Sequence, residues 1–248
     1  MVQLRYLLLS LLFASIAIAQ PTVRAVGTVA SAATAVSPGL PTGTVAGDLL
    51  LMFCETRGEE AITATGWTQL VQNNDGSLTL GSRITVLYRL STDGADATTT
   101  SDSGNHQTCR IIGITAQTFR VEDLFTAASS NDESTPNTSV AISGASSEFN
   151  NSLCVSGNGQ NIVDGVSTTE YSSWANADWA SADERIDNCG SAGDGGCMGV
   201  VTGVDTVAGA YGTTTATSVT DPDLRPDITF CVNPSWGFHN LPSLGVGP

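Results

Sequence analysis

The residues able to do chemistry are few. Two histidines, His106 and His239, stand beside 24 acidic and nine basic side chains, and every basic residue is an arginine. Without lysine there is no amine for Schiff-base chemistry and no P-loop lysine to grip a phosphate. Two histidines also exclude a metal centre built on three imidazoles. Nucleophilic catalysis would need a histidine set between an acid and an activated serine. The run Asp102-Ser103-Gly104-Asn105-His106 contains those residue types, but no Gly-x-Ser-x-Gly elbow accompanies it. Its commoner meaning is a turn with a polar residue opening the next strand. His239 falls in a Pro/Gly-rich tail and reads as solvent exposed, so the sequence supplies no catalytic set.

Paired carboxylates could hydrolyse a polysaccharide if they faced each other about 5–9.5 Å apart across the sugar bond. On a strand that requires acid-x-acid spacing, and none of the clear strands carries a Glu-x-Asp pair. Asp183-Glu184-Arg185-Ile186-Asp187 is the densest charged group and reads as a solvated strand end with a local arginine pair. Glu55, Glu59 and Glu60 read as a strand running out into a loop. Asp221, Asp223 and Asp227 place three carboxylates in a proline-stiffened segment, the ligand type that Ca2+ takes, although Arg225 sits among them. Tyr171, Trp174 and Trp179, with Asn176 and Asp178 between, could form an aromatic platform that stacks on sugar rings while the polar pair bonds hydroxyls. The alternative is that the tryptophans fill the core.

These residues must be held by strands. Apolar runs of strand length recur between turn-forming clusters, with no sustained 3.6-residue period. Asp48 to Thr56, Ser82 to Leu90 and Gln107 to Ala116 are the clearest, rich in β-branched or aromatic residues. Further strands are expected in 138–142, 152–156, 198–204, 213–219 and 227–232. Turns are expected at Asn73–Gly76, Asp93-Gly94, Ser103–Asn105, Gly157-Asn-Gly159 and Asp194–Gly196. Residues 83–88 alternate, whereas Leu49 to Cys54 is apolar on both faces and belongs in a sheet interior. The expected fold is all-β, a single antiparallel sandwich of jelly-roll type over residues 20–232, followed by a Pro/Gly-rich tail, 233–248.

Residues 1–19 read as a signal peptide: Arg5, an apolar stretch short for a bilayer, then Ala17-Ile-Ala19 as a small-x-small cleavage site. Six cysteines, Cys54, Cys109, Cys154, Cys189, Cys197 and Cys231, are an even set suited to an oxidising compartment. Cys189 and Cys197 bracket the flexible Gly-Ser-Ala-Gly-Asp-Gly-Gly and are expected to pair. The other four lie in apolar runs, as disulfides or as buried thiols. No Cys-x2-Cys spacing points to zinc. Asn137 and Asn150 open sequons that a eukaryotic secretory pathway would glycosylate.

The order Pro41–Leu51 with Gly47-Asp48, then Gly66-Trp67-Thr68, Val86–Arg89, Ser103–Gln107 and Ala208–Thr213 resembles a loosely characterised group of β-sandwich modules from tailed-phage virion proteins and bacterial surface proteins. The resemblance spans roughly residues 22–232. It implies a display or attachment module with no assigned catalytic residues, in which Gly47-Asp48 turns into a central strand and Trp67 lies on the sandwich.

A formal charge of -15 opposes the phosphate backbone and argues against nucleic acid. No cofactor is expected beyond a Ca2+ ion at the aspartates, and no membrane contact after signal cleavage. The expected role is a secreted or surface-displayed structural or attachment module, partnered by itself or by surface glycans. The alternatives are a carbohydrate-binding module, a virion protein (tail fibre or capsid decoration) and, last, a polysaccharide hydrolase.

Overall fold

The computed structural model describes residues 19–58, 60–76, 81–115, 124–126, 128–133, 138–161, 169–193, 195–220 and 225–234. Residues 1–18 of the expected signal peptide 1–19, with Glu59, Asn137, Asp221, Asp223 and His239, lie outside them. The described strands are β1 (Val23–Val26), β2 (Ala30–Ala32), β3 (Leu49–Arg57), β4 (Thr68–Asn74), β5 (Ser82–Leu90), β6 (Gln107–Ile114), β7 (Ser129–Glu133) and β8 (Ser139–Ile142). They continue as β9 (Ser146–Ser147), β10 (Ser152–Gln160), β11 (Tyr171–Ala175), β12 (Asp183–Gly190), β13 (Gly196–Asp205), β14 (Gly209–Ala210), β15 (Thr214–Ser218) and β16 (Arg225–Val232). The described residues contain no helix, and every strand pair is antiparallel.

The strands form more than the two sheets expected. A six-stranded sheet runs β1-β6-β3-β5-β4 with β2 also on β6, and a five-stranded sheet runs β12-β13-β10-β16-β7. A three-stranded sheet, β11-β15-β8, and the pair β14-β9 complete the set. Strand β3 explains the layering. Leu49, Leu51 and Phe53 pack with Leu153, Val155, Val200, Ile228 and Phe230 of the five-stranded sheet. Leu50, Met52 and Cys54 point the opposite way and pack with Val36, Ile62 and the edge of Trp67. Both rows are fully buried, as a run apolar on both faces demands. Each such side chain contributes about 1.5–3 kcal/mol relative to exposure.

The other face of the five-stranded sheet is covered as well. Val140 and Ile142 of β8, Tyr171 of β11 and Ala216 of β15 cluster with Cys197 of β13. The residues of β10 therefore alternate between two interiors. Val155 faces the six-stranded sheet, while Ser156 hydrogen-bonds Thr214 of β15 at 3.0 Å.

The Gly-Asp and Gly-Trp-Thr motifs are structural. Gly47, at φ 88°, donates its N–H to Ser91 O, and the buried Asp48 carboxylate pairs with Arg24 at 2.7 Å. Trp67 Nε1 donates to Ala97 O at 2.8 Å, and Arg89 lies over its ring.

All six cysteines form disulfides: Cys54–Cys109, Cys154–Cys231 and Cys189–Cys197. The reading of some as buried thiols is thereby corrected. Each bridge joins residues directly opposite in neighbouring strands, β3/β6, β10/β16 and β12/β13. Side chains opposed in this way point to the same face, which brings two sulfurs within bonding reach.

Two further expectations need correction. Gly157-Asn158-Gly159 is not a turn but the buried far half of β10. Arg225 and Pro226 do not belong to a loop but extend the strand expected over 227–232 into β16, with Arg225 and Asp227 each 1% exposed.

Candidate functional site

Two buried polar centres flank the β12–β13 hairpin. The first is built on β3, where Glu55 continues the stripe Leu49-Leu51-Phe53 by strand alternation and therefore projects toward the five-stranded sheet. A carboxylate there needs both space and partners. Glycines on the facing strands provide the space. A β-carbon on Gly159 of β10 would lie 3.2 Å from Glu55 Cγ, and one on Gly196 of β13 would lie 2.2 Å from Glu55 Oε2. One on Gly190 of β12 would meet Thr108 Oγ1 at 2.5 Å and His106 Cε1 at 2.8 Å.

The partners come from β5, from the residue preceding β6 and from β6 itself. Ser82 Oγ donates to Glu55 Oε1 at 2.8 Å, and His106 Nε2 lies 3.3 Å from Glu55 Oε2. His106 Nδ1 donates to Ala192 O in the loop closed by Cys189–Cys197. Thr108 Oγ1 gives its proton to Ser31 Oγ at 3.0 Å, so toward His106 Nε2, also at 3.0 Å, it accepts. The imidazole thus sits between the Ala192 carbonyl on Nδ1 and the Glu55 carboxylate and Thr108 hydroxyl on Nε2.

The two pKa values move accordingly. Burial pushes Glu55 up, against the opposing pull of His106, Ser82 and Arg57. Burial alone would push His106 down, but the Glu55 carboxylate, by hydrogen bond and by charge, and the Ala192 carbonyl hold it above its ordinary value. Chemically this is a proton-sharing acid–base pair. Ser82 bonds the carboxylate and not the imidazole, and the Thr108 hydroxyl and the Glu55 carboxylate share one ring nitrogen, Nε2, so the order of a nucleophilic triad, with hydroxyl and carboxylate on opposite ring nitrogens, is not made. Glu55, Ser82, His106 and Thr108 are all fully buried.

The second centre lies between β10, β16 and the three-stranded sheet. Glu170, fully buried, accepts through Oε1 from Ser218 Oγ, Thr220 N and Thr220 Oγ1 at 2.5, 2.7 and 2.6 Å. Asp187 accepts the backbone N–H groups of Glu170 and Tyr171 at 2.7 and 3.2 Å. Burial nevertheless holds Asp187 above the usual carboxylate value. The Tyr171 hydroxyl is pushed well up by burial, with Arg225 opposing and Glu170, Asp187 and Asp227 adding to the rise. Asn158 faces Asp227 across β10 and β16, and Arg225 Nη2 donates to Ser139 O at 2.9 Å.

The sequence-expected residues are placed as follows. Tyr171 and Trp179 are buried at 4% and 6% exposure, Tyr171 in the cluster beneath β8 and β15 and Trp179 against Tyr211. They do not join Trp174 in an exposed platform. Trp174 alone is half-buried, tilted on Tyr171. Gly199 and Gly203 account for this, because the Tyr171 and Trp179 rings occupy the space their β-carbons would fill. Asn176 donates to Gly212 O and Thr214 Oγ1, and Asp178 accepts Gly212 N at 2.6 Å, so both tie down a loop.

Asp227 is a buried strand residue, with Asp221 and Asp223 outside the described residues. Asn150 is exposed and accepts Ala208 N. Ser103 Oγ donates to the His106 backbone, not its ring, and Asp102 caps Gly104, so that run is the turn it resembled. Arg185 pairs with Asp183 at 3.0 Å as expected. Glu55 lies in the strand expected for it, but it is fully buried and not at a solvated strand end running into a loop. The Glu55–His106 contact crosses 51 positions of chain, and a polar residue closing an apolar alternating stripe was the one signal available.

No protein-family model, curated protein or solved structure matches the chain.

Proposed function

We propose that the chain is a non-enzymatic, exported structural or attachment module, with its two large sheets forming the layers of one β-sandwich. The shared core of Leu49, Phe53, Val155 and Phe230 supports that layering. The observation that carries the functional reading is the engagement of all six cysteines in cross-strand bridges. Such staples suit a domain that must persist where disulfides are stable. The best-formed acid–base pair, Glu55–His106, supports the same reading, since it is spent inside the protein on holding the hairpin. The motif order of phage and bacterial surface modules is consistent with display. Open edges at β4 and β12, beyond which no described strand pairs, offer backbone to a second copy.

The experiment is fractionation of a producing cell, with N-terminal sequencing and intact mass before and after reduction. The expected result is a surface or extracellular chain beginning at Gln20 with three disulfides and no turnover in a polysaccharide and ester panel. A cytoplasmic chain retaining Met1 with free thiols would overturn export. Turnover abolished by Glu55→Gln would overturn the non-enzymatic reading, and recovery in virus-like particles would reassign the module to a virion.

A further inference from the structure

The disulfide hairpin has two differently equipped faces. Gly190 and Gly196 turn toward Glu55 and His106, while their neighbours Cys189 and Cys197 turn toward the second centre. There the two sulfurs and a Glu170 carboxylate oxygen all lie within 4.8 Å of one another. Oε1 of Glu170 carries three donors, and Oε2, fully buried, has no hydrogen-bond partner among the described residues. Gln160, opposite Cys197 across β10 and β13 and also fully buried, has an amide nitrogen with no acceptor among the described residues. A closed disulfide cannot serve either atom, because its sulfurs carry no charge and accept hydrogen bonds poorly.

We propose that the dithiol form of this hairpin is a soft-metal site, in which the Cys189 and Cys197 thiolates and the Glu170 carboxylate bind Zn2+. A dithiol reductant opens the bridge by thiol–disulfide exchange. Two electrons and two protons pass to Cys189 and Cys197, and the reductant leaves as its own disulfide. Zinc then displaces the two thiol protons to solvent, and water completes four-coordination.

The geometry needs little movement. With Zn–S near 2.3 Å and Zn–O near 2.1 Å, neighbouring ligands of a tetrahedron sit about 3.5–3.8 Å apart. The separation of the opened sulfurs and Glu170 can contract to that. Electrostatics select a dication, because two thiolates beside a buried carboxylate repel one another unless a cation sits between them. Softness selects zinc over calcium or magnesium. The Gln160 amide then finds an acceptor in the Cys197 thiolate, the kind of outer contact that orients a metal ligand.

Accessibility makes the test feasible. Cys54, Cys109, Cys154 and Cys231 are all at 0% exposure, whereas Cys189 is half-buried, so a mild phosphine meets the hairpin bridge first. The experiment uses the full chain reduced only at Cys189–Cys197, verified by alkylation mapping, and titrated with Co2+ and then Zn2+. The expected result is a thiolate-to-cobalt charge-transfer band in the reduced protein, absent from the oxidised one and bleached by zinc. Glu170→Gln should weaken affinity at least tenfold, and Cys189→Ser should abolish the band. Should Glu170→Gln fail to fold, zinc-edge absorption on the unaltered reduced protein decides, with two sulfurs plus oxygen in the coordination shell as the expected outcome. A folded, reduced protein with no band, affinity indifferent to Glu170→Gln, or a shell without two sulfurs would each overturn the proposal.

Discussion

A β-carbon on Gly196 would lie 2.2 Å from Glu55 Oε2, so the carboxylate fills the volume that any other residue at position 196 would claim. Gly196 is also the Cα partner of Gly190, whose missing side chain admits Thr108 and His106. The hairpin and the Glu55–His106 pair are thus shaped to each other.

Gly196→Ala should therefore destabilise the fold by about 1–3 kcal/mol, the usual cost of overfilling a packed interior. Glu55 cannot swing aside cheaply, because Ser82 and His106 hold both of its oxygens. Urea unfolding measures the change, and an unaltered midpoint would contradict the packing described.

Stability should fall as pH rises. Glu55 is raised from 4.5 and His106 from 6.5, so in that range and somewhat above it the folded chain holds more protons than the unfolded one. Groups raised on folding stabilise fully below their unfolded values, and that contribution is lost as pH climbs through their folded ones. Asp187 and Glu184, both raised chiefly by burial, act in the same direction. Each excess proton is worth about 1.4 kcal/mol per pH unit. Glu55→Gln should flatten or invert the profile near neutrality, since His106 keeps its burial and loses its carboxylate. Urea midpoints across a pH series, with the His106 ring followed by proton NMR, test this.

The three disulfides should contribute unequally. Cys154–Cys231 spans 77 residues, Cys54–Cys109 spans 55 and Cys189–Cys197 spans 8. Chain entropy assigns them about 4.5, 4.2 and 2.5 kcal/mol. Paired Cys→Ala variants ranked by thermal melting should follow that order. The hairpin bridge should also be the first lost to reductant, since the other two are fully buried.

Trp179→Ala should cost about 3–5 kcal/mol through the cavity left against Tyr211 and Gly203, whereas Trp174→Ala should cost less. A glycan array run on both variants separates packing from recognition. If sugar binding occurs, Trp174 is the aromatic positioned to support it, and a signal lost only with folded Trp179→Ala would contradict the burial described.

Much of the architecture was legible in the chain. Leu49 to Cys54 announced a strand buried on both faces, and Arg83 to Tyr88 a second strand beside it, because apolar period and length are local properties. The Cys189–Cys197 bridge was legible because its loop is short and glycine-rich. β12 was harder to see, since Asp183, Glu184, Arg185 and Asp187 mask a strand that pairs with β13 on both sides of a bulge at Arg185. Gly157-Asn-Gly159 carries turn chemistry, yet β13 and β16 pair with it on both sides and override local preference. Neither the four-residue window of a turn nor the alternation of a strand reveals that a third sheet covers Asn158 and Gln160.

By itself, the sequence determined the all-β class, the main strands, the lysine-free acidic character and an even set of cysteines, all of which follow from composition and short-range pattern. Only the tertiary structure decided how the other four cysteines pair, Cys54 with Cys109 and Cys154 with Cys231. It also decided that Glu55 and Glu170 are interior and not solvated, and that glycines at 159, 190 and 196 serve as sockets for another sheet's polar groups. The physical reason is distance along the chain. A buried carboxylate is tolerable when a partner such as His106 or Ser218 arrives from a different strand, and no local pattern encodes that arrival.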